Sequence, residues 1–88
     1  MKLSKDFICR TVCGETLLMP VGEKTRDYNG IFTLTETGAF LLKAVLDGDD
    51  ADAAAEKLAE EFGIDAALAK QDTKEFLDKL TAFGILTE

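Results

Sequence analysis

The sequence predicts an α+β domain in which a three-stranded antiparallel sheet precedes three helices. Two observations predict this order: β-branched, aromatic and aliphatic residues dominate the first third of the chain, and helical stripes with clear start and stop residues fill the rest. A chain of 88 residues, 47% of them hydrophobic, can bury only one core. We therefore expect a single domain over residues 1–88.

The first two strands should form a hairpin. Strand one is predicted at Phe7–Cys13 and strand two at Thr16–Met19, joined by Gly14-Glu15. Glycine at the first central position suits a type II′ turn. Pro20 has no N–H for a ladder, so the second strand should end there.

The third strand should be short and lie at the edge of the sheet. Residues 22–29 are polar and charged and read as an exposed loop, which Asn29-Gly30 closes. Ile31–Leu34 then forms a four-residue strand that runs directly into a helix. Such a strand favours an edge position, where one row of N–H and C=O groups has no neighbour.

The first helix is predicted at Glu36–Leu46. Thr35 can accept hydrogen bonds from its first N–H groups, and Gly48 is a natural left-handed stop. The helix has almost no polar face, which is typical of an element covered on most sides. We expect it at the centre of the core.

The second helix follows acidic residues that favour a helix start, and it stops at Gly63. Its predicted buried stripe consists of Ala55, Leu58, Ala59 and Phe62.

The third helix should run from its cap, Asp65, to about Ala82. We expect the tail, Ile85-Leu86, to pack back on the body. The residues predicted on its buried side are Leu68, Phe76, Leu77, Leu80 and Phe83.

Helices two and three, joined by Gly63-Ile64, resemble a helix-turn-helix, so the fold is predicted to be winged helix-turn-helix-like. Nucleic acid is not expected as a partner, because the chain has 17 acidic and 10 basic residues and a net charge of −7. The third helix, the element that would read DNA, carries no arginine.

Catalysis, metal binding and membrane insertion are not expected. The chain has no histidine, no nucleophile motif and no glycine-rich phosphate loop, so we predict no enzyme activity and no cofactor or metal. Cys9 and Cys13 lie too far apart in one strand to form a disulfide and are predicted to be buried or half-buried thiols. No segment is long and apolar enough to span a bilayer, and a cytoplasmic location is expected.

The open edge of Ile31–Leu34 is the strongest candidate for a binding site, because its free backbone groups can accept a strand from another chain. The pocket beside it would involve Asp72, Glu75, Phe76 and Lys79 of the third helix. A simpler interpretation of the same residues is that Phe76 belongs to the core and that the charged residues form a solvated face. A second hypothesis is an acidic winged-helix scaffold or transcriptional regulator that acts through protein contacts, with a stable partner or a homodimer.

The order and spacing of several short motifs resemble the PqqD family, named for a pyrroloquinoline quinone synthesis protein. Residues 30–39 read GIFTLTETGA and residues 46–48 read LDG, similar to the family core F-x-L-N-x-T-G-A followed by L-L-D-G. Residues 65–86 look like its V-D … D-V-x-x-F-L-x-x-L-x-x-x-G-L-L ending. The likeness covers the chain from about Ile8 to Leu86.

This resemblance implies a recognition element for ribosomally synthesised peptides, which binds the leader segment of a precursor peptide and presents it to a modifying enzyme, often a radical S-adenosylmethionine enzyme. It implies that the leader adds antiparallel to strand three. Thr35 replaces the usual Asn, and Phe40-Leu41 the usual Ile-Trp, which indicates a divergent member and a precursor other than that of PQQ. The positions that the resemblance assigns to the leader are Gly30, Ile31, Phe32, Thr33, Leu34, Asp72, Glu75, Phe76 and Lys79.

Overall fold

The computed structural model describes residues 1–22 and 32–87. Five strands and three helices occur in these ranges. In chain order they are β1 (Lys2–Leu3), β2 (Phe7–Val12), β3 (Glu15–Pro20), β4 (Phe32–Leu34), α1 (Glu36–Leu46), α2 (Ala51–Phe62), α3 (Ala66–Ala82) and β5 (Leu86–Thr87).

The main sheet is antiparallel and has the order β2-β3-β4, so the predicted meander and its edge strand are confirmed. The predicted turn was wrong by one residue. Val12 pairs with Glu15, which leaves Cys13 and Gly14 as the loop, with φ angles of 52° and 82°. Positive φ at both central residues makes this a type I′ turn, whose twist matches that of the flanking strands.

A second, two-stranded sheet joins the two ends of the described chain, and the sequence pattern did not predict it. Lys2 pairs with Thr87 and Leu3 with Leu86. The predicted packing of the tail is confirmed, because Ile85 and Leu86 are almost completely buried.

Each helix begins at a capping side chain, as predicted for Thr35 and Asp65. The Thr35 hydroxyl accepts from the Gly38 N–H, and the Asp50 carboxylate accepts from the Ala53 N–H. Gly63 ends α2 in the left-handed conformation, with φ of 63°. The Asp65 carboxylate then starts α3, which packs against α2 and gives the predicted helix-turn-helix arrangement.

The core lies between the sheet and the helices, with α1 at its centre as predicted. Leu18 of β3 and Val45 of α1 are fully buried within it. Two residues predicted on the buried side of α3 were wrong: Leu68 is 49% exposed and Phe83 is 44% exposed. The prediction is confirmed for Leu77 and Leu80, which form the buried side of α3 together with Ala69 and Thr73.

The prediction for the two cysteines was partly wrong. Cys9 and Cys13 are both free, as expected, but both are exposed. Cys9 lies on β2, at the opposite edge of the main sheet from β4. Cys13 lies in the hairpin loop, where solvent reaches it. Among the described residues, no helix is long and apolar enough to cross a membrane.

Candidate functional site

The four residues predicted on α3 lie on one face of this helix. At about 100° per residue, Asp72, Glu75, Phe76 and Lys79 fall within a stripe about 100° wide. This stripe is next to the buried side of α3. The helix can therefore contact the core along one line and present the four residues beside it.

The same four residues line a cleft of about 530 Å³ between α3 and the start of α1. Phe76 is half-buried and packs against Gly38, so α1 and α3 meet at this point. The remaining lining residues are Thr35, Thr37, Gly38, Leu41, Leu58 and Ile64. The cleft thus has an apolar floor and a polar rim.

The charged groups on the rim make few contacts within the protein. Asp72 and Lys79 form no ion pair with any residue in the described ranges. The Glu75 carboxylate accepts one long hydrogen bond of 3.3 Å from the Gln71 amide. These groups are available to a bound molecule.

Strand β4 lies at the edge of the main sheet, where it pairs with β3 and with no other strand of the described chain. Phe32 and Leu34 pack against the core, and the side chain of Thr33, between them, is exposed. Of the nine predicted site residues, Gly30 and Ile31 lie outside the described ranges.

Two links connect β4 to the cleft. Thr35 follows the strand directly and lines the cleft, and the rings of Phe32 and Phe83 lie 6.3 Å apart at the C-terminal end of α3. The side chains of β4 do not themselves line the cleft. The cleft therefore begins where β4 ends, at Thr35.

The structure adds residues to the site that sequence reasoning did not include. Phe83 continues the α3 stripe, because it follows Phe76 by seven residues, or two turns. Phe83 does not line the cleft, but its ring lies beside that of Phe32 in β4. Thr37 and Gly38 occur in the family-like motif but were not singled out, and Ile64 lies in the turn before α3.

No group of three or more Cys, Asp or Glu side chains in the described part of the chain is arranged to hold a metal ion. The Cys9 thiol lies near a second hollow between the sheet and α1, lined by Phe40 and Phe62. Partial burial of its side chain raises the pKa of this thiol above the ordinary value of 9.0. This thiol is therefore a weaker nucleophile at neutral pH than a free cysteine.

Comparison with known proteins gives one family and two similar structures. The family model described as "Coenzyme PQQ synthesis protein D (PqqD)" matches residues 15–86. No curated protein matches the chain in sequence. Two solved structures share the fold at low sequence identity.

The first of these structures is "TbiB1 in Complex with the TbiA(beta) Leader Peptide", with a TM-score of 0.80 and 19% identity over 98% of this chain and 94% of that one. The second is "Lasso peptide synthetase B1 complexed with the leader peptide", with a TM-score of 0.84 and 18% identity over 99% of this chain and 96% of that one. Agreement over nearly the whole of each chain confirms the predicted fold class.

Proposed function

Because the chain belongs to the family of the coenzyme PQQ synthesis protein D, we propose that it is a peptide-binding adaptor. It captures the leader segment of a ribosomally synthesised precursor peptide and presents it to a modifying enzyme. The leader adds as a fourth strand to the sheet and extends into the cleft beside α3.

The observation that carries this proposal is the position of β4. Among the described strands it lies at an edge of the sheet, and its end leads through Thr35 into a cleft lined by four charged or aromatic residues of α3. Main-chain hydrogen bonds along the edge would fix the register of a guest strand, and the cleft would choose among side chains. The leader-binding residues are Gly30, Ile31, Phe32, Thr33, Leu34, Asp72, Glu75, Phe76 and Lys79.

Two further facts support a peptide as the ligand. Both similar solved structures are, by their titles, complexes with leader peptides. The net charge of −7 also disfavours nucleic acid, whose phosphates would be repelled.

The adaptor has no catalytic activity of its own and needs no cofactor. It acts in the cytoplasm, as a single domain, on a peptide other than the PQQ precursor. Its partner is the enzyme that modifies the peptide, for which a radical S-adenosylmethionine enzyme is our first choice. The alternative, a scaffold or regulator, requires a stable protein partner or a homodimer and no peptide ligand.

The direct test is a titration of the ¹⁵N-labelled protein with the leader peptide encoded beside its gene. We expect amide shifts in β4 and along α3 from Asp72 to Lys79. Shifts confined to other elements would contradict the site. A complete absence of shifts, together with a stable dimer or protein complex, would favour the alternative.

A further inference from the structure

We propose that the cleft selects its leader by a pair of opposite charges placed on either side of an apolar residue. This inference rests on the proposed function and concerns the same site. The expected ligand pattern is a Lys or Arg, then a large apolar residue two positions away, then an Asp or Glu two positions further, read in either chain direction.

The order of charges along α3 supports this pattern. Asp72 and Glu75 lie toward the start of the helix, Lys79 lies one turn nearer its end, and Phe76 lies between them. All four side chains line the same cleft. The cleft is therefore negative at one end, apolar in the middle and positive at the other end.

The lengths are compatible with an extended peptide. Asp72 and Lys79 are separated by about 10 Å along the helix axis, at about 1.5 Å per residue. Alternate side chains of a strand point to the same side, and four strand residues span about 13 Å. Flexible Lys, Arg or Glu side chains of the peptide can cover the remaining difference.

The apolar middle of the cleft, around Phe76, is held more rigidly than its charged ends. Phe76 cannot move toward α1, because its ring already lies in contact with Gly38. Leu41 and Ile64 complete the apolar lining beside it. A leader side chain at this position meets a preformed apolar surface, which favours Leu, Ile, Phe or Met over polar residues.

The requirement for an acid near Lys79 separates this inference from simple attraction by the whole protein. A net charge of −7 attracts any cationic peptide and disfavours anionic residues everywhere. A preference for an acid at one ligand position therefore requires a local cation. Lys79 is the basic residue that lines the cleft, and it forms no ion pair with the described residues.

The probe is a phage-displayed library of randomised 12-residue peptides, selected on the immobilised full-length protein. A selected peptide is then synthesised and its affinity measured for the wild type and for Lys79→Glu. The matched control is Lys74→Glu, the same charge change on the same helix. Lys74 pairs with Asp78 on another face of α3 and does not line the cleft. Circular dichroism verifies that both variants are folded.

We expect the selected peptides to share the cation, apolar and anion positions. Lys79→Glu should weaken binding at least about tenfold, because a charge-assisted contact becomes a repulsion. Replacing the peptide's acid by Lys should restore binding to this variant. Lys74→Glu should leave the affinity within about twofold of the wild type, since an exposed ion pair on another face contributes little.

Peptides that bind and shift the β4 amides, but share no acid position, would overturn the inference and leave the proposed function standing. The same holds if they bind both variants equally, or if they are simply rich in Lys and Arg. A library that yields no binding peptide would overturn the proposed function together with the inference.

Discussion

The Phe76 ring of α3 packs against Gly38 of α1 in the cleft lining, where no room remains for a side chain at residue 38. A Cβ atom on Gly38 would lie 3.1 Å from Cε1 of the Phe76 ring and 3.3 Å from its Cζ. It would also come within 3.1 Å of the Thr35 hydroxyl, which caps α1. The missing side chain at residue 38 therefore sets the position of the aromatic ring in the cleft.

Gly38→Ala should affect binding more than stability. Alanine is favoured over glycine in a helix by about 1 kcal/mol, which offsets the strain of a small ring displacement. We expect the free energy of unfolding, measured in urea, to stay within about 1 kcal/mol of the wild type. Peptide affinity, measured by calorimetry, should fall because the Phe76 ring moves toward the cleft. Adding Phe76→Leu should remove most of the effect of the alanine; additive effects would contradict the contact.

Thr73→Val should stabilise the protein. Thr73 is 1% exposed, and its hydroxyl has no hydrogen-bond partner in the described structure. Removing an unsatisfied buried hydroxyl should raise the free energy of unfolding by about 1 kcal/mol in urea titrations. The control is Thr81→Val. The Thr81 hydroxyl donates a hydrogen bond to the Leu77 carbonyl at 2.9 Å, so its removal should not stabilise the protein. A loss of stability in Thr73→Val would show that the hydroxyl has a partner.

Asp65→Ala should weaken the start of α3. The Asp65 carboxylate accepts hydrogen bonds from the Ala67 and Leu68 N–H groups, at 3.1 and 3.3 Å. Loss of this carboxylate should lower the free energy of unfolding by about 1 kcal/mol. Asp65→Asn should keep most of the stability that the cap contributes, because asparagine also caps helices. Asp78→Ala on the same helix breaks only the exposed pair with Lys74 and should cost less than about 0.5 kcal/mol. Equal losses at both positions would argue against the cap.

Thr33→Pro should reduce leader binding, because proline cannot donate a backbone hydrogen bond to a guest strand. The position is exposed and lies on the edge strand, so we expect the far-ultraviolet dichroism of the folded protein to be kept. Thr33→Val keeps the N–H and should bind as the wild type does. Equal affinity of the proline and valine variants would contradict strand addition.

The stability of the protein should fall at alkaline pH through Cys9. Partial burial raises the pKa of this thiol, so ionisation is less favourable in the folded than in the unfolded state. The stabilisation is fully present below the ordinary pKa of 9.0 and is lost as pH rises through the raised value. The free energy of unfolding, measured in urea under reducing conditions, should fall less between about pH 8 and about pH 10 for Cys9→Ser than for the wild type. An equal loss of stability in Cys9→Ser and the wild type would contradict a role for this thiol.

Most of the fold could be predicted from the sequence because its signals are local. The caps at Thr35 and Asp65 and the stop at Gly63 mark helix ends within a few residues. The β1–β5 pair could not be found in this way. Two-residue strands have no periodicity, and their pairing joins residues at opposite ends of the chain.

On α3, the position of a residue around the helix axis decides its burial, and its apolar or polar character does not. Leu68 and Phe83 are apolar but point away from the core, and Thr73 is polar but fully buried. The grouping of Asp72, Phe76 and Lys79 on one side of α3 could be predicted, because residues three, four and seven apart share one helical face. The extent of the cleft depends on how α1 meets α3, which no local pattern specifies.

The register of β4 has a consequence for how leaders are told apart. Within Phe32–Leu34, the register turns the N–H and C=O of Phe32 and Leu34 toward β3 and those of Thr33 outward. A guest strand can therefore form two main-chain hydrogen bonds with Thr33, each with a net worth of about 1 kcal/mol. A total of about 2 kcal/mol corresponds to a dissociation constant weaker than about 1 mM. Side chains in the cleft must supply the rest, so discrimination between leaders resides there. We therefore expect loss of the Thr33 N–H to weaken every leader alike, and substitutions in the cleft to change which leaders bind.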